Sequence, residues 1–155
     1  MSVQVLVAAM GQNDYSLLEK MNIQCDRNEI TEIDYKGYGV KYLSFCERGV
    51  GLNRNNALMR ATADYCLIAD DDMVYVDGYA EIVEEAFLNN PEADVIIFNL
   101  IEEPLQRYVI KKKFTVNFLN FMRFGAARIA FRRESIRKNG IFFNATSISS
   151  VFTPI

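Results

Sequence analysis

The chain has 155 residues, half of them apolar, with three prolines, no histidine and a net charge of −3. That length suits one domain with a real core and is too short for two ordinary ones. The missing histidine excludes His-based triads, most zinc hydrolases and the usual neutral-pH proton shuttle, so any chemistry must use carboxylates, Tyr, Lys, Cys or a bound hard cation.

No window reaches the roughly 18 unbroken apolar residues of a membrane span. Residues 1–5 lack the basic lead and apolar core of a secretory signal. Cys25, Cys46 and Cys66 are odd in number and form no C-x-x-C pair. A disulfide framework or zinc site is not expected, and a reducing cytoplasm is. Charge is unevenly spread: residues 1–106 hold 7 Lys/Arg against 19 Asp/Glu, and 107–138 hold 10 against the single Glu134. Such a basic segment suits an anionic ligand, the inner membrane face, a second copy of the chain, or the acidic half itself.

In chain order, the apolar run 3–9 predicts a buried strand, with a turn and N-cap signal at Gly11-Gln12-Asn13-Asp14. Residues 14–21 read as a short helix with Leu17, Leu18 and Met21 on one face. A brief strand is expected over 21–26, a turn over 36–39 and a strand over 40–45. Gly49-Val50-Gly51 leads into a helix over 52–63, where Leu52, Asn56, Met59 and Ala63 share a face. Residues 65–69 form a compact buried strand that runs into three aspartates.

Asp77-Gly78 opens another helix, with Ile82, Val83, Ala86 and Phe87 inward and Glu81, Glu84 and Glu85 outward, ended at Asn89-Asn90-Pro91. Residues 95–101 are the most apolar strand candidate. Beyond Pro104, residues 114–124 suggest an aromatic helix, 126–131 a strand, and 133–139 a helical turn closed by Gly140. The alternation predicts an α/β fold, an open and mostly parallel sheet flanked by helices. It forms one domain over 1–140, followed by an irregular tail over 141–155.

Asp70-Asp71-Asp72 stands out because three acids at the end of a buried strand repel unless something positive lies between them. The carboxyl edge of an open α/β sheet is where ligands bind. In an extended chain Asp70 and Asp72 project together and Asp71 away. A Mg²⁺ or Mn²⁺ suits that pair, because hard cations take oxygen ligands and bridge carboxylates to phosphates. The bland alternative is a solvated acidic loop or a helix-cap cluster. Arg54, placed by this reading in the first turn of the preceding helix, combines its fork of donors with the positive helix end, a setting for diphosphate. Otherwise it is an ordinary surface residue.

Three features together resemble the family 2 glycosyltransferases of GT-A fold, over most of residues 3–140. They are the apolar strand 5–9, the run Glu47-Arg48-Gly49-Val50-Gly51-Leu52-Asn53-Arg54-Asn55-Asn56-Ala57-Leu58, and Ala69-Asp70-Asp71-Asp72-Met73 as a D-x-D element. The resemblance implies transfer of a sugar from a nucleotide diphosphate sugar to the hydroxyl of a sugar or lipid-linked acceptor, as in bacterial surface polysaccharide synthesis, and no nucleic-acid partner. Ala8, Ala9 and Met10 would line the nucleotide floor and Asp26 would accept a hydrogen bond from the base. Arg54 would contact the nucleotide or its diphosphate. Asp70 would face ribose or metal, Asp71 would belong to the nucleotide-sugar site, and Asp72 would ligate the metal.

An inverting member needs a downstream carboxylate to take the acceptor's proton, and residues 135–155 contain no Asp or Glu. The expectation is a donor-binding half whose catalytic base is unknown and which stops before the acceptor side. Two other readings compete. Asp70-Asp71-Asp72-Met73-Val74 also fits the D-x-D-x-[TV] pattern of haloacid-dehalogenase-like phosphatases, in which Asp70 would attack phosphorus and Asp72 would protonate the leaving group. That pattern belongs on the first strand. A non-catalytic nucleotide-sugar-binding module is the third reading.

Overall fold

Successive residues of β4 (Tyr65–Asp70) enter alternate halves of the core, which makes this strand the organising element of the computed structural model. The structure describes residues 2–9, 16–22, 33–35, 38–40, 49–101 and 109–144. On one side of β4, Tyr65, Leu67 and Ala69 pack with Met21, Tyr79, Val83 and Phe87. On the other, Cys66 and Ile68 pack with Leu6, Leu58, Ala61 and Phe131. A strand buried on both faces reads as a continuous apolar run, which is what residues 65–69 present.

The sheet has four strands in the order β1-β4-β6-β5. β1 (Val3–Ala8) runs parallel to β4 in a register that sets Val3 beside Tyr65 and Ala8 beside Asp70. β6 (Ile129–Arg132) is antiparallel to both β4 and β5 (Val95–Ile97). The three strands from the strand–helix alternation are therefore parallel, and one late strand is inserted against them. α1 (Ser16–Met21) and α3 (Tyr79–Leu88) carry residues of the first core half, and α2 (Val50–Arg60) contributes to the second. α4 (Arg133–Lys138) follows β6 directly, and its Ile136 packs on that same half. A separate hairpin pairs β2 (Ile33–Tyr35) with β3 (Tyr38–Val40). The mixed, mostly parallel open sheet flanked by helices is the expected fold class.

Several local expectations shift. Met21 ends α1 rather than starting a strand, and Asn22 follows in a left-handed conformation (φ 51°); residues 23–26 lie outside the described residues. Tyr38 and Gly39 belong to β3 and not to a turn, and of the strand expected over 40–45 only Val40 is described. In α2 the buried positions are Gly51 and Leu58, whereas Met59 is exposed and Ala63 lies past the helix end. α3 buries Tyr79, Val83 and Phe87, spaced four apart, and turns Ile82 to solvent. Helix phase is set by what each helix packs on, and here the whole stripe turns with Tyr79. β5 pairs with β6 over Val95–Ile97, and one further bond runs from Phe98 N–H to the Arg128 carbonyl (2.9 Å).

The segment 114–124 is not a helix beyond one 3₁₀ turn at Phe121–Arg123. Most of its side chains are exposed, so it has no face on which a helix could be stabilised. Residues 141–144 belong to the domain rather than to a tail: Ile141 N–H donates to Ile136 (3.1 Å) and Phe143 packs against the second core half. The rest of the expected tail lies outside the described residues.

Gly49 caps α2 at φ 140°, ψ 128°. A Cβ there would meet only Leu52 at an ordinary 3.7 Å, so the obstacle to a side chain is the backbone and not space. Gly49→Ala is expected to cost about 1–2 kcal/mol in urea unfolding; an unchanged midpoint would show that the cap relaxes freely.

Candidate functional site

β4 ends at Asp70 beside the end of β1, on the side of the sheet covered by α2. Alternation along the strand gives that side to Cys66, Ile68 and Asp70. Arg54 Nη2 reaches across from α2 and donates to Asp70 Oδ1 at 2.6 Å. The pair is unequal in exposure, 14% for the arginine side chain and 44% for the aspartate. The guanidinium is thus held under cover and the carboxylate faces outward. One residue earlier, Asn53 Nδ2 donates to the Ala9 carbonyl at 3.0 Å, tying α2 to the end of β1.

Arg54 Nε and the Tyr75 hydroxyl are buried without a hydrogen-bond partner among the described residues. Such groups call for an acceptor. Burial pushes the Tyr75 hydroxyl above the usual tyrosine range, and the negative Asp70 pushes it further. After Asp70 the chain turns. Asp71 is half-buried and Asp72 exposed. The chain then returns over the end of α1, where Tyr75 N–H donates to Met21 (2.9 Å) and Asn22 Nδ2 donates to the Tyr75 carbonyl (2.9 Å) and to Asp77 Oδ1 (3.1 Å).

Ala8, Ala9, Arg54 and Asp70 therefore gather at one sheet edge, with Asp71 and Asp72 in the turn that leaves it. Met10 and Asp26 lie outside the described residues. The strand stops at Asp70, so extended-chain alternation does not set the direction of Asp72. α2 begins at Val50, which places Arg54 fifth in the helix rather than in its first turn. Its reach to the edge comes from its long side chain, not from the helix end.

Phe143 is the neighbour that sequence reasoning missed. Asn55 Nδ2 donates to the Phe143 carbonyl (2.9 Å) and Asn55 Oδ1 accepts from its N–H (2.8 Å). This sets the ring 5.6 Å from the Arg54 guanidinium carbon. Nothing local could have flagged a contact across 88 positions. Asn55→Ala removes both bonds and is expected to cost about 1–2 kcal/mol in thermal or urea unfolding. A loss below about 0.5 kcal/mol would mean that water replaces them.

The sequence model described as Glycosyl transferase family 2 matches residues 26–152. The chain belongs to this family. No curated protein matches its sequence. Its fold is similar to crystal structures of S. aureus TarS 1-349. The complex with UDP has a TM-score of 0.68 at 18% identity, covering 97% of this chain and 52% of that one. The complex with UDP-GlcNAc gives 0.65 at 19%, covering 93% and 49%. The structure described as TarS 1-349 alone gives 0.65 at 18%, covering 97% and 52%. This chain thus spans about half the length of the TarS structures. Family membership also sets aside the phosphatase reading, whose motif would sit on the first strand; here it follows β4.

Proposed function

We propose that the chain is the donor-binding half of a glycosyltransferase that moves a sugar from a nucleoside diphosphate sugar onto an acceptor hydroxyl. One observation carries it: the Arg54–Asp70 bridge holds an outward-facing carboxylate and a sheltered guanidinium together at the sheet edge. The similar TarS structures bind UDP and UDP-GlcNAc, which supports a uridine nucleotide as the first donor to test.

In this reading Ala8, Ala9 and Met10 floor the nucleotide and Asp26 meets the base. Arg54 directs its unpartnered Nε toward a phosphate oxygen while Nη2 holds Asp70. Asp71 adds to the same wall. Mn²⁺ or Mg²⁺ fits the donors present, since Asp70 keeps one oxygen clear of Arg54 and Asp72 is exposed. No group of three acidic or thiol side chains gathers among the described residues, but Mg²⁺ commonly takes one or two carboxylates and completes its shell with phosphates and water. Bound there, such an ion would neutralise the departing diphosphate. The sugar or lipid-linked acceptor, and the carboxylate that deprotonates it, are not assigned to residues 135–155, which hold no acid.

Titration calorimetry with UDP and UDP-GlcNAc, with Mn²⁺ and then with chelator, tests the reading. Saturable binding that chelator abolishes is the expected result. A folded sample silent toward uridine and guanosine diphosphate sugars alike, with metal present, would overturn it. No helix among the described residues is long and apolar enough to cross a membrane, and a cytoplasmic site of action is part of the same proposal.

A further inference from the structure

We propose that the loop around Phe118 docks this protein on an anionic lipid surface. Phe118, Leu119 and Met122 are 86%, 89% and 85% exposed. Three large apolar side chains within five residues, all nearly bare, form a patch that soluble surfaces seldom carry without a counterpart.

The loop is braced so as to present them. Asn120 Oδ1 accepts from Asn117 N–H (2.8 Å), Asn117 Oδ1 accepts from Leu119 N–H (2.9 Å), and the Asn117 carbonyl accepts from Phe121 N–H (3.0 Å). Rings pair within the loop, Phe118 with Phe121 at 5.8 Å and Phe114 with Phe124 at 6.1 Å. These hydrogen bonds close the turn, and the apolar side chains project from it.

Charge selects the occupant. Lys111 and Lys112 are exposed in the segment that leads into this loop, Lys113, also exposed, donates from Nζ to Asn90 Oδ1 just past α3, and residues 104–133 contain no Asp or Glu. Apolar side chains at a tip with lysines at its flank match the acyl and phosphate layers of a bilayer surface, where hydrophobic insertion and attraction to anionic headgroups act together. A protein partner would need acidic groups opposite the lysines and a hollow for the tip. Pairing two copies of this chain loop to loop about a two-fold axis would set the basic segments against each other. The inference does not rest on the donor reading, because nucleotide binding is read separately.

The test is sedimentation of the 155-residue protein with phosphatidylcholine vesicles, with and without phosphatidylglycerol. Pelleting that needs phosphatidylglycerol is expected, weakened by high salt and at least about tenfold by F118S/L119S/M122S. The substituted side chains are exposed, so circular dichroism should be unchanged, which separates lost docking from lost fold. Any one of four results overturns the proposal: no pelleting, equal pelleting on neutral vesicles, indifference to the triple substitution, or self-association that the triple substitution dissolves.

Discussion

Asp72→Asn is expected to lower metal-dependent affinity for a nucleoside diphosphate sugar by at least about 100-fold, the scale on which metal sites respond to lost ligands or their supports. Its stability should stay within about 0.5 kcal/mol of the parent, since the side chain is exposed. Asp70→Asn should weaken binding as much and also cost about 1 kcal/mol, because the ion pair with Arg54 loses its negative partner. Asp64→Asn is the control. That carboxylate sits just before β4, at the opposite end from Asp70, and accepts from Ser2 N–H at 3.0 Å. It should leave binding unchanged. Calorimetry at fixed Mn²⁺ measures all three. Equal affinity across the set would remove the acidic turn from the site.

The largest stability effect is expected at Arg132. Its Nε donates to the Ala93 carbonyl at 2.8 Å, and Nη2 to the carbonyls of Phe87 (3.1 Å), Asn90 (3.4 Å) and Pro91 (3.3 Å). Nη1 reaches the Tyr65 hydroxyl at 3.2 Å. The guanidinium also lies over the Phe87 and Tyr65 rings, 5.0 and 5.3 Å from their centroids, and those rings stack 4.4 Å apart. One side chain thus satisfies carbonyls left open at the end of α3 and places a cation where the helix end is negative. Arg132→Ala is expected to cost about 3 kcal/mol in urea unfolding, with lysine recovering under half because it lacks the planar fork. Arg137→Ala, on the exposed side of α4, should change it by less than about 0.5 kcal/mol. Equal losses at the two positions would show that the carbonyls at the end of α3 are solvated just as well by water.

Arg132 also explains part of the basic segment. Arg128 donates to the Phe98 carbonyl (2.9 Å) and Asn99 Oδ1 (3.0 Å), and Arg133 to the Ala63 carbonyl (2.8 Å). In these bonds the arginines dock on the acidic half of the chain, through its backbone, amide and hydroxyl oxygens rather than its carboxylates. The three lysines at 111–113 remain on the surface.

By itself the sequence determined the elements whose burial is recorded in their own composition. The runs in β1 and β4 are apolar enough to declare themselves strands. The stop at Asn89-Asn90-Pro91 ends α3 near where it was expected, and the aspartates mark the edge of β4 before any fold is known. Only the tertiary structure decided the contacts between distant segments. It inserted β6 antiparallel between β4 and β5, brought Phe143 beside Arg54, turned Ile82 outward and left 114–124 without a helix. Apolar periodicity reports that a face will be buried, but not against which partner. A helix such as 114–124 needs such a partner to persist in water. The Arg54–Asp70 bridge stands between these cases: both residue types were visible, but their meeting depends on α2 packing across β1 and β4.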